Sequence, residues 1–205
     1  MRKSITKVVA LTLCLAMIAC WIPHLAVPAS AAAEYPNTHN NTGNMAADIV
    51  AVAVSQAGYC AGYLSGNPAY AGSNNYQKYG QWYDAHVDNI GVTYAAWCAA
   101  FVSWCANQAG VPSDIVYYHA YCPYGVNWFR NQGRFQYAAS RGGSYVPNPG
   151  DIVYFAPPGS SVASHVGSVR GVSDGYVHTV EGNTSGQKGE VNEGGGVFLK
   201  SYSLS

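Results

Sequence analysis

The chain has 205 residues, with ten Lys and Arg against ten Asp and Glu. With only 10% of residues charged, there is no basic surface of the kind that binds nucleic acid and no electrostatic anchor for an anionic envelope. The length suits one domain with a real core, and no internal repeat is visible.

The first 33 residues read as a secretory signal peptide. Arg2, Lys3 and Lys7 form a basic front, an apolar run extends from Val8 to about Ile22, and Ala29, Ser30, Ala31, Ala32 and Ala33 supply small residues for cleavage. The run is too short and too promptly followed by that site to favour a membrane span. Export to the extracellular space or the cell wall is therefore expected. A lipoprotein anchored at Cys20, after Met17-Ile18-Ala19, is a minor alternative. Removing the leader takes three basic residues with it and leaves a net charge of about −3.

Residues 34–44 read as a disordered lead. Met45–Ala57 has Ile49, Ala53, Gln56 and Ala57 spaced for one helical face, with Gly58 as a stop. Residues 59–80 read as a loop rich in Gly, Asn, Ser and Tyr. Its end runs into Asn-Asn-Tyr-Gln-Lys-Tyr-Gly-Gln-Trp-Tyr-Asp, where aromatic and polar residues alternate. That stretch is either a surface loop anchored by its tyrosines or one wall of a binding cleft.

A buried helix is predicted within residues 94–112. Cys98, Val102, Cys105 and Ala109 share one face, Trp97 and Trp104 flank it, and Gly110 and Pro112 end it. Thr93 is a candidate cap. Most cysteines on an apolar face are only core, and Cys105 reads that way. Cys98 differs, because a thiol in the first turn of a helix feels the positive end of the macrodipole, which favours the thiolate.

Beyond this helix, Asn127–Gln132 reads as a short helix ending at Gly133. The period then changes from helical to alternating. Strands are predicted over 151–155, 164–170, 176–183 and 197–202, with Asn148-Pro149-Gly150 and Pro157-Pro158-Gly159 as breaks. Helices first and an antiparallel sheet afterwards make an α+β fold over residues 45–205.

Cys14 and Cys20 lie in the leader, leaving Cys60, Cys98, Cys105 and Cys122. Four cysteines allow three full pairings. If Cys98 is a nucleophile it must stay a thiol, and a Cys60–Cys122 bridge is then possible. No Cys-x-x-Cys pair and no His cluster at ligand spacing occurs, so neither a metal site nor any other cofactor is expected.

His165, Gly167 and Val169 share one face of their strand, and Val177, Thr179, Glu181 and Asn183 share one face of the next. Whether these faces coincide depends on the loop between the strands. A three-residue loop over 172–174 puts Glu181 across from His165. A loop over 173–175 puts Asn183 there. A two-residue loop would separate His165 from both. The parts match a cysteine-nucleophile site: Cys98 attacks, His165 moves the proton, and Glu181 orients the ring with Asn183 as helper or substitute. The Cys98 backbone N–H would hold the oxyanion, aided by Tyr79 or Gln81. Tyr79, Gln81 and Trp97 are the candidate substrate-binding residues. A lone strand histidine is more often structural, and His178, facing the other way, is read as such.

The order Trp97-Cys98-Ala99-Ala100-Phe101, then Asn148-Pro149-Gly150-Asp151-Ile152-Val153, then Ser164-His165-Val166-Gly167, then Val180-Glu181-Gly182-Asn183 resembles the CHAP family of cysteine, histidine-dependent amidohydrolases and peptidases. The resemblance covers about residues 46–205. It implies a papain-like fold and a secreted bacterial peptidoglycan hydrolase, an endopeptidase or an N-acetylmuramoyl-L-alanine amidase, and a monomer is expected. The family's site residues fall on Cys98, His165, Glu181 and Asn183. Two alternatives stand beside it. An NlpC-type peptidase would carry its nucleophile in an Asp-Cys-Ser context, unlike Trp97-Cys98-Ala99. A non-catalytic wall-binding module would need none of the site residues.

Overall fold

The structure is a computed structural model, and it describes residues 35–62, 75–186 and 195–204. The leader, with its Cys20 alternative, and the middle of the 59–80 loop lie outside the described residues. Among the described residues, four α-helices precede a four-stranded antiparallel sheet, the expected α+β arrangement. The helices are α1 (Met45–Ser55), α2 (Lys78–His86), α3 (Cys98–Gln108) and α4 (Cys122–Asn131). The strands β1 (Ile152–Phe155), β2 (His165–Ser173), β3 (Tyr176–Thr184) and β4 (Gly196–Ser203) pair in sequence order.

Helix α3 is the centre of the core. Every residue from Cys98 to Ala106 is buried, and the helix packs on β2 and β3 with α1 and α2 on its other sides. An apolar stripe alone would suit a surface helix; burial all round is what the run of Ala, Phe, Val, Trp and Cys permits. Tyr79 from α2, Trp97 and Phe101 form an aromatic cluster beside it, with Tyr79 and Trp97 stacked at 5.2 Å.

Several sequence expectations change. The 34–44 lead is folded from Tyr35 onward. Asp48 of α1 accepts hydrogen bonds from the Thr42 and Gly43 amides and the Thr42 hydroxyl, and pairs with His39 at 2.7 Å. A buried carboxylate supplied with that many donors folds a polar segment that composition alone leaves unstructured. Second, the end of the predicted loop is helix α2. Gly80 and four aromatic or histidine side chains weaken its helical propensity. Gly80 is nonetheless needed, because a Cβ there would lie 2.4 Å from the Val92 carbonyl oxygen. Gln77 caps the helix through the Gly80 amide. Third, Thr93 does not cap α3; its hydroxyl and amide bind Asp84 of α2. Helix α4 also begins five residues earlier than expected, at Cys122, with Pro123 in its first turn.

The β2–β3 connection differs from both favoured loops. Ser173 pairs with Tyr176 across a two-residue turn, with φ of 53° at Asp174 and 78° at Gly175, the mirror-image turn that suits strand twist. That turn alone would put His165 on the wrong face. A bulge between Val169 and Gly171 inserts Arg170 as an extra residue, and beyond it Val169 pairs with Thr179 and Ser168 with Val180. Each bulge shifts the register by one and swaps the faces. Continued along the strands, this register sets Gly167 opposite Glu181 and His165 opposite Asn183.

Candidate active site

Cys98 is the first residue of α3, and its amide is among the N–H groups that a helix start leaves without an intrahelical partner. His165 is the first residue of β2 and fully buried, as are Glu181 and Asn183 near the end of β3. His165 Nε2 lies 3.0 Å from Glu181 Oε2, an ion pair wholly removed from solvent. The remaining ring nitrogen, Nδ1, is buried, and it is the atom left to meet the Cys98 thiol, with which the ring interacts.

The glycines around the site are spacing devices. A Cβ on Gly167 would come within 2.6 Å of Glu181 Cγ. A Cβ on Gly182 would come within 2.7 Å of both Phe101 and Trp97. The Glu-Gly-Asn run thus lets β3 press on α3 while its neighbours point into the site. Asn183 holds φ of +56°, a conformation that Asn tolerates better than most residues, and the β3–β4 register breaks between Glu181 and Thr184.

Two residues that sequence reasoning missed complete the carboxylate's surroundings. Thr179 Oγ1 donates to Glu181 Oε1 at 2.5 Å, and the Tyr202 hydroxyl donates to Oε2 at 2.9 Å. Thr179 was legible, since it sits two residues before Glu181 and so on the same strand face. Tyr202 is 21 residues away on β4, and only sheet order brings it there.

The third missed residue is Cys122. Its sulfur lies 3.8 Å from that of Cys98. No disulfide is formed by Cys60, Cys98, Cys105 or Cys122; Cys60 pairs through its backbone with Gly196, so the possible Cys60–Cys122 bridge is absent. Behind Cys122, buried His119 receives a hydrogen bond from the Tyr154 hydroxyl at 3.0 Å, while its Nδ1 binds the Tyr117 carbonyl. Burial holds this imidazole down to about 4, so it stays neutral. Gly125 lets α4 approach that pair, because a Cβ there would meet the Tyr154 oxygen at 2.2 Å.

The electrostatics separate the two site residues. The Cys122 thiol, then the His165 ring, hold the Cys98 thiol well below its usual range, against the opposing effect of burial. Burial alone would lower His165, but its hydrogen bonds and attraction to Cys98 and Glu181 raise it well above the usual histidine range. Both shifts favour a thiolate beside an imidazolium.

The predicted substrate contacts fare differently. Tyr79 and Trp97 are fully buried in the aromatic core, and the Tyr79 hydroxyl donates to Gln56 rather than facing the thiol. Apolar bulk next to a helix face was their true role. Gln81 lines a groove of about 430 Å³ with Tyr35, Lys78, Trp82 and Trp104, away from Cys98. Among the described residues, no three His, Cys, Asp or Glu side chains could hold a metal ion.

The family model of the CHAP domain matches residues 87–183. Over that span the chain carries a CHAP domain. The match contains Cys98, His165, Glu181 and Asn183, together with α3, α4 and the β2–β3 hairpin, and membership brings with it amidase or peptidase activity on peptidoglycan in general terms. No curated protein and no solved structure matches the chain.

Proposed function

We propose that this protein is an exported cysteine hydrolase that cuts an amide bond in the peptide part of peptidoglycan, acting as a monomer and without a cofactor or nucleic-acid partner. The observation that carries the reading is a thiol at a helix start, beside a buried histidine whose far nitrogen is held 3.0 Å from a buried carboxylate. The basic front of the leader and the apolar run that follows it support export.

In this mechanism the Cys98 thiolate attacks the scissile carbonyl, and the negative charge that develops on oxygen is met by the Cys98 amide at the positive end of α3. His165 gives its proton to the leaving amine as the carbon–nitrogen bond breaks. A water then attacks the thioester, its proton passing to His165, and Cys98 departs as thiolate. Glu181 keeps the imidazolium oriented and stabilised throughout, and Asn183 supports the ring from the opposite strand. Tyr121 and Tyr124 are exposed and in edge contact at 5.1 Å. They flank Cys122 in sequence and offer an aromatic rim to a peptide stem or sugar.

The test is a digest of purified peptidoglycan with the wild-type protein and with Cys98→Ala, read by mass spectrometry. New fragments from wild type alone are expected, and their masses distinguish endopeptidase from amidase. Equal fragments from both proteins would overturn the nucleophile assignment. Binding of the wall by both, with no fragments from either across several wall types, would favour the binding module.

A further inference from the structure

Two helix starts converge on one point. Cys98 opens α3 and Cys122 opens α4, and their sulfurs are in van der Waals contact at 3.8 Å, buried together. Helix starts favour thiolates, so both sulfurs sit where a cysteine is reactive. The other two cysteines are not so placed: burial pushes the Cys105 and Cys60 thiols up.

We propose that Cys122 is the resolving thiol of a reversible oxidation site, closing a Cys98–Cys122 disulfide that switches the nucleophile off. The proposal rests on Cys98 being that nucleophile. A disulfide needs the sulfurs to close to about 2.05 Å, a movement that side-chain rotation and a small shift of α4 can supply. The chemistry balances with a peroxide as oxidant. The Cys98 thiolate attacks one peroxide oxygen, the O–O bond breaks, and with one proton taken up a sulfenic acid and a water form. The Cys122 sulfur then attacks the Cys98 sulfur, the S–O bond breaks, and the departing hydroxide leaves as water with the Cys122 proton. Two thiols lose two electrons and hydrogen peroxide gains them. The depressed Cys98 thiol, held down first by Cys122 itself, supports the first step.

This arrangement has a protective consequence. A sulfenic acid with no thiol in reach proceeds to sulfinic acid, which ordinary thiol reductants do not reverse. With Cys122 in contact, the disulfide forms first and a dithiol restores the enzyme.

The test treats the full chain with hydrogen peroxide, blocks remaining thiols with iodoacetamide and digests with pepsin at acid pH. Trypsin would not serve, since no Lys or Arg lies between Lys78 and Arg130 and all three cysteines of that span stay on one peptide. The expected product is a single cross-linked pair joining Cys98 to Cys122, with dithiothreitol restoring both thiols and wall-digesting activity. In Cys122→Ala, or in Cys122→Ser should the first fold poorly, no cross-link forms, Cys98 reaches sulfinic acid, and dithiothreitol fails to restore each variant's own starting activity. Overoxidation of Cys98 in wild type without a cross-link, pairing of Cys98 with Cys60 or Cys105, or resistance of both thiols to peroxide would each overturn the proposal. The cross-link is read by mass alone, so it stands or falls separately from the Cys98→Ala digest that tests the nucleophile.

Discussion

Replacing Gly167 with Ala tests how tightly the site depends on strand spacing. The added methyl group would lie 2.6 Å from Glu181 Cγ and 3.2 Å from the Val180 carbonyl oxygen, inside the 3.0 Å that real Cβ contacts observe in the first case. Glu181 cannot swing aside cheaply, because His165, Thr179 and Tyr202 all hold its carboxylate. Overpacking of a core usually costs about 1–3 kcal/mol, and each kcal/mol lowers the melting temperature of a domain this size by about 2–4 °C. The larger effect falls on chemistry. Glu181 helps to raise His165, and moving a buried opposite charge away lowers such a group by about one pH unit or more. The alkaline limb of the pH–activity profile should therefore move down, with a lower maximum rate. Gly171→Ala, on the same strand with nothing within 4 Å of the new methyl, is the matched control and should behave as wild type. Indistinguishable melting curves and pH profiles for the two variants would refute the claim that Gly167 makes room for the carboxylate.

Three further outcomes are expected. Activity on the wall should be bell-shaped: the thiolate is lost as pH falls through about 5, where Cys98 protonates, and the imidazolium is lost as pH rises through about 9. The two limbs belong to the coupled pair rather than to either residue, and a profile that keeps rising past the upper limb would contradict the ion-pair form. Tyr202→Phe and Thr179→Val each remove one hydrogen bond to a charged group, worth about 1.5–3 kcal/mol. Both should lower stability by that order in a urea melt and shift the pH limbs, whereas loss of stability with an unmoved profile would mean a structural role only. Deletion of Arg170 removes the bulge and swaps the faces beyond it, so the variant should lose all wall digestion, and retained activity would show that the bulge is not what aligns the hairpin.

The α+β order, the burial of α3 and the place of Cys98 at a helix start were legible in the sequence because they rest on local rules. A helix stripe, a Gly-Pro stop and a strand period each involve residues within a few positions of one another. The lead and α2 were not, because specific contacts outside any periodic pattern decide them: donors converging on Asp48 for the first, and the Val92 carbonyl pressed on Gly80 for the second. Tyr79 and Trp97 read as substrate contacts in the sequence, since aromatic residues near a candidate nucleophile look the same whether they face a cleft or the core.

By itself the sequence determined which residues could do chemistry: a cysteine at a helix start, a histidine opening one strand, and a Glu-Gly-Asn run near the end of the next. It left open whether they meet, because parity along a hairpin turns on a single residue. The tertiary structure decided that through Arg170, whose insertion reverses the effect of the two-residue turn and returns His165 to the face of Glu181. It also decided what surrounds them. Cys122 and Tyr202 reach the site only because α4 and β4 pack against it, and contacts between segments far apart in the chain leave no periodicity to read.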